Sequence, residues 1–422
     1  MPLTKRRRND KEVFIVTEEK KASEMIKELM DKHYEDALEA KKNGELVGWA
    51  ASNFPQELAE CMGLVLVYPE NHAAAVSAKK ASMPFLEYAE GQGYSTDICS
   101  YARINLAFKD IKECEALQIP MPDYLLCCNN ICDLMVKWYE NLAIELNIPL
   151  FMLDIPYNTE PTVTPARLEY IKEQFYIIIK QLEEFTGKKF SEERFKEVME
   201  ISSASGLAWK RAMSTLTATP SPMNGFEMFT YMGILVCNKA RKETTVALNK
   251  LAEELEERVK KGETSYKAEE KHRILSEGIA CWPFLGHNMK TLMQYGINVV
   301  GAIYCDAFAK VYSNLDEMAI AYAEVPNCVN LEREVASRVK IIKDHNVEGM
   351  LIHSNRSCKK WDGFMFEMER RIAQETGIAT AYFDGDQSDP RVFSKAQYET
   401  RIQSFYEVMA QKKAAAAVGE GN

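Results

Sequence analysis

The chain has 422 residues, 46% hydrophobic and 27% charged, with a formal net charge of −10 and 11 cysteines. That length holds about two to three domains, and the composition is that of a globular chain. An acidic balance argues against a nucleic-acid partner, which selects a basic face, and no run of about 18 apolar residues reads as a membrane span. The basic start Met1 to Lys11 is followed by no apolar signal core, so a cytoplasmic location is expected, with Lys5 to Arg8 as a solvated tail.

Residues 1–42 read as an N-terminal helical segment, charged and helix-prone from about residue 10. Residues 43–162 read as a first α/β domain with strands at Val47–Ala51, Leu64–Tyr68, Tyr124–Cys128 and Pro149–Ile155. Each run is nearly continuous in apolar residues, as strands covered on both faces are. A helical connector follows over 163–274. Thr164-Pro165 starts a helix whose stripe of Ile171, Phe175, Ile178, Leu182 and Phe185 ends at Gly187, and Leu248, Leu251, Leu255 and Val259 form a second stripe. The strand rhythm returns over 275–410, a second α/β domain with strands at Ile279–Trp282, Asn298–Tyr304, Gly349–His353 and Ala379–Phe383. Residues 411–422 read as a flexible tail. The fold class is therefore α/β, with two Rossmann-like parallel-sheet domains that share a rhythm but little identity.

In such sheets functional groups gather beyond the carboxyl ends of the strands. Cys127, Cys128 and Cys132 follow the third strand of the first half, Cys358 follows the third strand of the second, and Cys99 lies at a loop–helix junction. A cleft between the halves would bring Cys99, Cys132 and Cys358 together. Clustered cysteines in a reduced compartment suggest metal or redox chemistry, although free cysteine is also common core filler. Cys61, Cys114, Cys237 and Cys328 stand alone and take no role. The spacing is neither that of a zinc ribbon nor that of a compact ferredoxin. Glu70 lies just past an apolar strand, where partial desolvation would raise its pKa and suit it to proton transfer. His72 and His287 are loop candidates for polar site residues, His353 reads as a core histidine, and Asp384, Asp386 and Asp389 as a turn-forming loop. No phosphate loop, dinucleotide fingerprint or nucleophile elbow is present.

Several segments resemble one family. They are Val47 to Glu57 (VGWAASNFPQE), Tyr68 to Ala74 (YPENHAA), Asp97 to Arg103 (DICSYAR), Cys128 to Cys132 (CNNIC) with Lys137 to Glu140 (KWYE), Asn355 to Lys359 (NRSCK), and Phe383 to Arg391 (FDGDQSDPR). All resemble the α-subunits of 2-hydroxyacyl-CoA dehydratases over about residues 25–410, nearest to the members acting on (R)-phenyllactyl-CoA and (R)-2-hydroxyisocaproyl-CoA. The resemblance implies a lyase that eliminates water from an (R)-2-hydroxyacyl-CoA to give the (E)-2-enoyl-CoA in amino-acid fermentation. It implies one four-iron four-sulfur (4Fe-4S) cluster on Cys99, Cys132 and Cys358, with Cys128 as the rival to Cys132 and water or substrate on the fourth iron. It leaves open whether a flavin binds. An ATP-dependent iron–sulfur activator would deliver one electron, the substrate would pass through a ketyl radical anion, and a related β-subunit would carry its own cluster. Ser52 and Glu70 match family positions near the substrate, Ser52 to orient the hydroxyl or carbonyl and Glu70 to handle a proton. A benzoyl-CoA reductase-like subunit and a non-catalytic scaffold are the alternatives.

Overall fold

The computed structural model of the chain describes residues 20–419, so Lys5 to Arg8 and the last three residues lie outside the described region. Eight strands form two four-stranded sheets. The first holds β1 (Val47–Ala50), β2 (Val65–Val67), β3 (Tyr124–Cys128) and β4 (Leu150–Leu153) in the order β2-β1-β3-β4. The second holds β5 (His272–Glu277), β6 (Ile297–Ala302), β7 (Gly349–Asn355) and β8 (Ala379–Gly385) in the order β6-β5-β7-β8. Every pairing is parallel. This is the α/β fold expected, and the shared rhythm of the halves is a shared strand order. In both sheets the order reverses beside the first strand, between β1 and β3 and between β5 and β7, which is where such folds open a crevice at the carboxyl ends.

The apolar runs become strands because both faces are covered. Val47 to Ala50 and Tyr124 to Cys128 are buried at every position. Gly48 is required where it stands: a Cβ there would come within 2.5 Å of the Tyr124 ring, which lies across it. The helix Ala22–Lys42 buries Ile26, Tyr34, Ala37 and Ala40 and packs on the helices Lys242–Lys261 and Gly233–Asn238. The helix Pro165–Thr186 begins and ends as its sequence predicts: Thr164 accepts from the Arg167 N–H at 3.4 Å, and Gly187 stops it with φ of +72°. Its stripe is buried from Ile171 to Leu182, while Phe185 and, in the second stripe, Val259 stay half exposed. The last helix runs Lys395–Gly419, through the alanines expected as tail, and buries Tyr398, Ile402, Phe405 and Met409. No helix among the described residues is long and apolar enough to cross a membrane.

One strand is misplaced by the sequence reading. Ile279–Trp282 is not a strand; the first strand of the second sheet is His272–Glu277, and the chain turns at Gly278, whose φ is +99°. The true strand was hidden by its charges. Arg273 is buried, donating to Glu270 at 2.6 Å and to the His345 carbonyl at 2.9 Å. Glu277 is buried, accepting from Arg338 at 2.9 and 3.0 Å and from the Trp361 indole at 2.9 Å. Arg338, wholly buried, also bonds Glu334 and so ties the helix Leu331–Asp344 to the centre of the sheet. Removing one member of a buried ion pair strands the other charge, a loss of about 3–5 kcal/mol. Arg338→Met is expected to lower the free energy of urea unfolding by that amount, and an unchanged value would mean the charges are solvated.

Candidate functional site

Cys99, from a loop–helix junction, and Cys132 and Cys358, from beyond strand ends, share one local geometry. Cys99, Cys132 and Cys358 are the N-cap residues of the helices Ser100–Ile111, Asp133–Leu146 and Lys359–Asp362. They are partly exposed, whereas the other eight cysteines are buried. A helix start carries unpaired N–H groups and a partial positive charge, which favours a thiolate. At each site an N–H of the third helical residue, Ala102, Met135 or Trp361, acts on the sulfur in that direction without closing a conventional cap bond. Burial nevertheless dominates. It pushes Cys99 up to about 12, Cys132 up to about 11 and Cys358 well above the usual thiol range. The thiols are therefore protonated on their own, and a bound metal would displace the protons.

The sulfurs feel one another. Cys132 raises the pKa of Cys99, and Cys99 and Cys132 both raise that of Cys358. No three described histidine, cysteine or acidic side chains converge as the ligands of a single ion would. Three cysteine thiolates are the donor type that an iron–sulfur cluster takes, each on its own iron, and these three lie within range of one another's charge. The residues fit the expected group. Cys128, the rival, is the last residue of β3 and fully buried, with its thiol pushed well up by burial and the nearby Glu70 charge.

The second half holds the start of the Cys99 helix. Ser100 donates its N–H to Ser357 Oγ at 3.1 Å and its hydroxyl to Asp386 Oδ1 at 2.6 Å. Asp386 also accepts from the Ser388 and Asp389 N–H groups at 2.8 and 2.9 Å, so the acidic loop is a turn as expected. Gln387 Nε2 lies 3.0 Å from Cys99 Sγ, and its Oε1 accepts from Asn355. The Trp282 indole N–H bonds Tyr101, two residues past Cys99.

Trp282 also lines a cavity of 540 Å³ that has Ser52 and Glu70 among its walls. Phe229, Trp282, Tyr304 and Phe308 form an aromatic wall of edge-to-face contacts, and Ile26, Met30 and Ala74 face it from the first half. Exposed Lys27, Asp31 and Lys79 mark the rim. Glu70 accepts from the Ser52 N–H at 2.9 Å and from the Tyr139 hydroxyl at 3.4 Å. Burial pushes its carboxyl up to about 7, with these hydrogen bonds pulling only weakly against it. The Glu70 charge acts on both Cys132 and Tyr304, and Cys358 acts on Tyr304, so carboxyl, cavity wall and cysteines lie within range of one another's charge.

The histidines do not join them. His72 is buried against Phe108 and donates to the Leu117 carbonyl at 2.9 Å. His287 packs on Phe393 and Tyr398. His353 is a core histidine stacked on Phe383. The reading of single residues missed Tyr139, Trp282, Tyr304 and Gln387. Only tertiary contact reveals them, although Tyr139 and Gln387 lie inside the segments quoted for the resemblance.

The chain is similar to known proteins along nearly its whole length. The family 2-hydroxyglutaryl-CoA dehydratase, D-component, matches residues 51–409. The chain is 52% identical over 397 residues to the (R)-phenyllactyl-CoA dehydratase alpha subunit of Clostridium sporogenes, covering 94% of this chain and 98% of the relative. It is 50% identical over 401 residues to the (R)-2-hydroxyisocaproyl-CoA dehydratase alpha subunit of Clostridioides difficile, again 94% and 98%. A more distant likeness, 26% over 423 residues and 94% and 97% of the two chains, is to a benzoyl-CoA reductase subunit of Thauera aromatica. Half-identity sustained end to end, with a family match over most of the length, means that the chain belongs to the 2-hydroxyglutaryl-CoA dehydratase D-component family.

Proposed function

We propose that the chain is the alpha subunit of an (R)-2-hydroxyacyl-CoA dehydratase, a cytoplasmic lyase of anaerobic fermentation that forms the (E)-2-enoyl-CoA. The observation that carries this reading is that three helix-capping cysteines lie within range of the charge of a cavity's walls, a cavity that holds a buried carboxyl whose pKa is about 7. Cys99, Cys132 and Cys358 would hold the four-iron four-sulfur cluster; Cys128, buried in its strand, is poorly placed beside them. When bound, the cluster supplies one low-potential electron and a Lewis-acidic iron at the thioester carbonyl, which makes the α-hydroxyl expellable and the β-proton acidic. The electron comes from an ATP-dependent iron–sulfur activator, and a β-subunit with its own cluster completes the enzyme.

The chain's own groups do the rest. Ser52 orients the substrate hydroxyl or carbonyl, its N–H fixing Glu70 Oε1. Glu70, near half ionisation at neutral pH, is matched to exchange a proton in either direction and handles the one that leaves with the hydroxide. The aromatic wall excludes water and accepts an apolar acyl chain. The lysines lining the cavity, Lys27 and Lys79, are exposed at the rim, so a carboxylate carried on the acyl chain would be buried without a cation.

Four outcomes test this. Anaerobically purified enzyme is expected to be brown and iron-bearing, with Cys99→Ser, Cys132→Ser and Cys358→Ser each losing iron and activity while Cys128→Ser keeps both; a wild-type chain with fewer than about two irons removes the cluster from the reading. With activator and ATP, an aliphatic or aromatic (R)-2-hydroxyacyl-CoA should exceed (R)-2-hydroxyglutaryl-CoA in kcat/KM by about 100-fold, and the product should be the enoyl-CoA; stoichiometric consumption of electrons would favour a reductase. Glu70→Gln should keep its iron and lose about 100-fold in kcat; full turnover would dismiss Glu70. The same variant tests the burial. A carboxyl raised from 4.5 to about 7 gives its stabilisation below pH 4.5 and loses it as pH rises through 7. Glutamine keeps that stabilisation, so thermal melts should show the variant gaining on the wild type across that window by up to ~3 kcal/mol.

A further inference from the structure

Among the described residues, Cys99 is the member of the trio whose sulfur takes a side-chain hydrogen bond. Gln387 Nε2 donates to it at 3.0 Å. Gln387 is fully buried, at the turn after β8, and is held from two sides. Asn355 Nδ2, at the end of β7, donates to its Oε1, and its own carbonyl accepts from the Trp282 N–H at 3.2 Å. Asn355 is itself fully buried. In this arrangement the Gln387 oxygen faces the Asn355 NH₂ and its own NH₂ faces the sulfur. The orientation also has a chemical reason: a metal-bound thiolate carries no proton and can only accept, so a neighbouring amide must present its donor.

We infer that Gln387 is a positioning residue for the redox centre: aligned by Asn355, it donates to the Cys99 thiolate and sets the reduction potential of the cluster above what the three cysteines alone would give. The inference rests on the cluster reading above. A hydrogen bond to a ligating sulfur withdraws electron density from it and stabilises the reduced cluster, which carries one more negative charge; such bonds are among the factors that set iron–sulfur potentials. Groups that touch ligands are coupled to the metal this way, and their loss changes metal retention or activity by about 10–100-fold. The effect is asymmetric. Cys132 and Cys358 have the backbone N–H groups of their own helices, whereas Cys99 has its helix and a donor from the other half of the molecule. The bond forms only when the two halves are docked, so cluster potential and domain docking are joined at this residue.

The test is a potentiometric titration of the anaerobically purified complex, poised with dithionite or titanium(III) and followed by electron paramagnetic resonance, with iron counted in the same samples. Gln387→Leu removes the donor and Gln387→Glu turns an acceptor to the sulfur. Both are expected to keep wild-type iron and to shift the midpoint potential of this subunit's cluster to more negative values, the glutamate further than the leucine. Asn355→Asp leaves Gln387 in place but faces its oxygen with an acceptor, so the amide should reverse and the same negative shift appear. In cluster-free protein, Gln387→Leu should slow alkylation of Cys99 at fixed pH while leaving Cys132 unchanged. Should the leucine variant lose iron, the near-isosteric glutamate variant carries the measurement. Wild-type iron with an unshifted potential in both Gln387 variants overturns this inference alone; a wild-type protein without iron overturns the cluster reading and this inference with it.

Discussion

A helix that begins beyond a sheet leaves backbone N–H groups with no partner, and three such beginnings determine this site. Each is capped by a cysteine rather than by serine, threonine or aspartate, the residues that satisfy a helix start best. A thiol caps weakly, so the N–H groups stay turned toward a sulfur that burial keeps protonated. What the local structure lacks is negative charge on those sulfurs. A metal cluster would provide it by replacing three protons at once, and the helix starts are already oriented to stabilise the result. Four other helices show what an ordinary cap does instead: Thr164, Ser191, Asn314 and Asn330 each accept from a backbone N–H.

Two buried glutamates near the end of the first sheet show how burial is put to different uses. Burial pushes the Glu57 carboxyl up, but Lys239 at 2.9 Å, with hydrogen bonds from Ser202 and Tyr312, outweighs it and holds the pKa at about 2. Glu70 is buried as deeply but has no cation, only the Ser52 N–H and the more distant Tyr139 hydroxyl, and rises to about 7. One is a fixed anion that ties the first half to the connector and, through Tyr312 and Tyr322, to the second half. The other is poised to change charge. The difference lies in Lys239 and the hydroxyls around Glu57, and it is why Glu70 rather than Glu57 can serve in proton transfer.

How much of this is legible in sequence depends on range. Apolar runs covered on both faces, such as Tyr124 to Cys128, announce their strand because burial and propensity agree. The strand His272–Glu277 does not, because Arg273 and Glu277 read as solvent-facing until Glu270 and Arg338 arrive from elsewhere in the chain. The same holds at the site. Glu70 is visible because it immediately follows a strand, and Cys132 and Cys358 because they follow one within a few residues. Gln387 sits 288 positions from Cys99 and has no local signal of function. Its part follows from tertiary contact, with Asn355 on one side of its amide and the Cys99 sulfur on the other.

The repeat explains why this long-range contact is needed. Cys132 and Cys358 occupy equivalent places, each a few residues past the third strand of its half, and each begins the next helix. Their positions come directly from sheets whose strand order is the same. Cys99 has no such support. Two helices, Pro69–Ala78 and Met83–Gly91, and a loop separate it from β2, so no strand end aims it. The other half supplies what the first sheet does not: Ser357 and Asp386 bind Ser100, Gln387 binds the sulfur, and Arg103 on the same helix, itself buried, reaches Asp389 at 3.3 Å. Two of the cysteines are therefore placed by local topology and the third by the docking of the halves. Loosening the Asp386–Asp389 turn would displace Cys99 first, while the other two kept their helix starts.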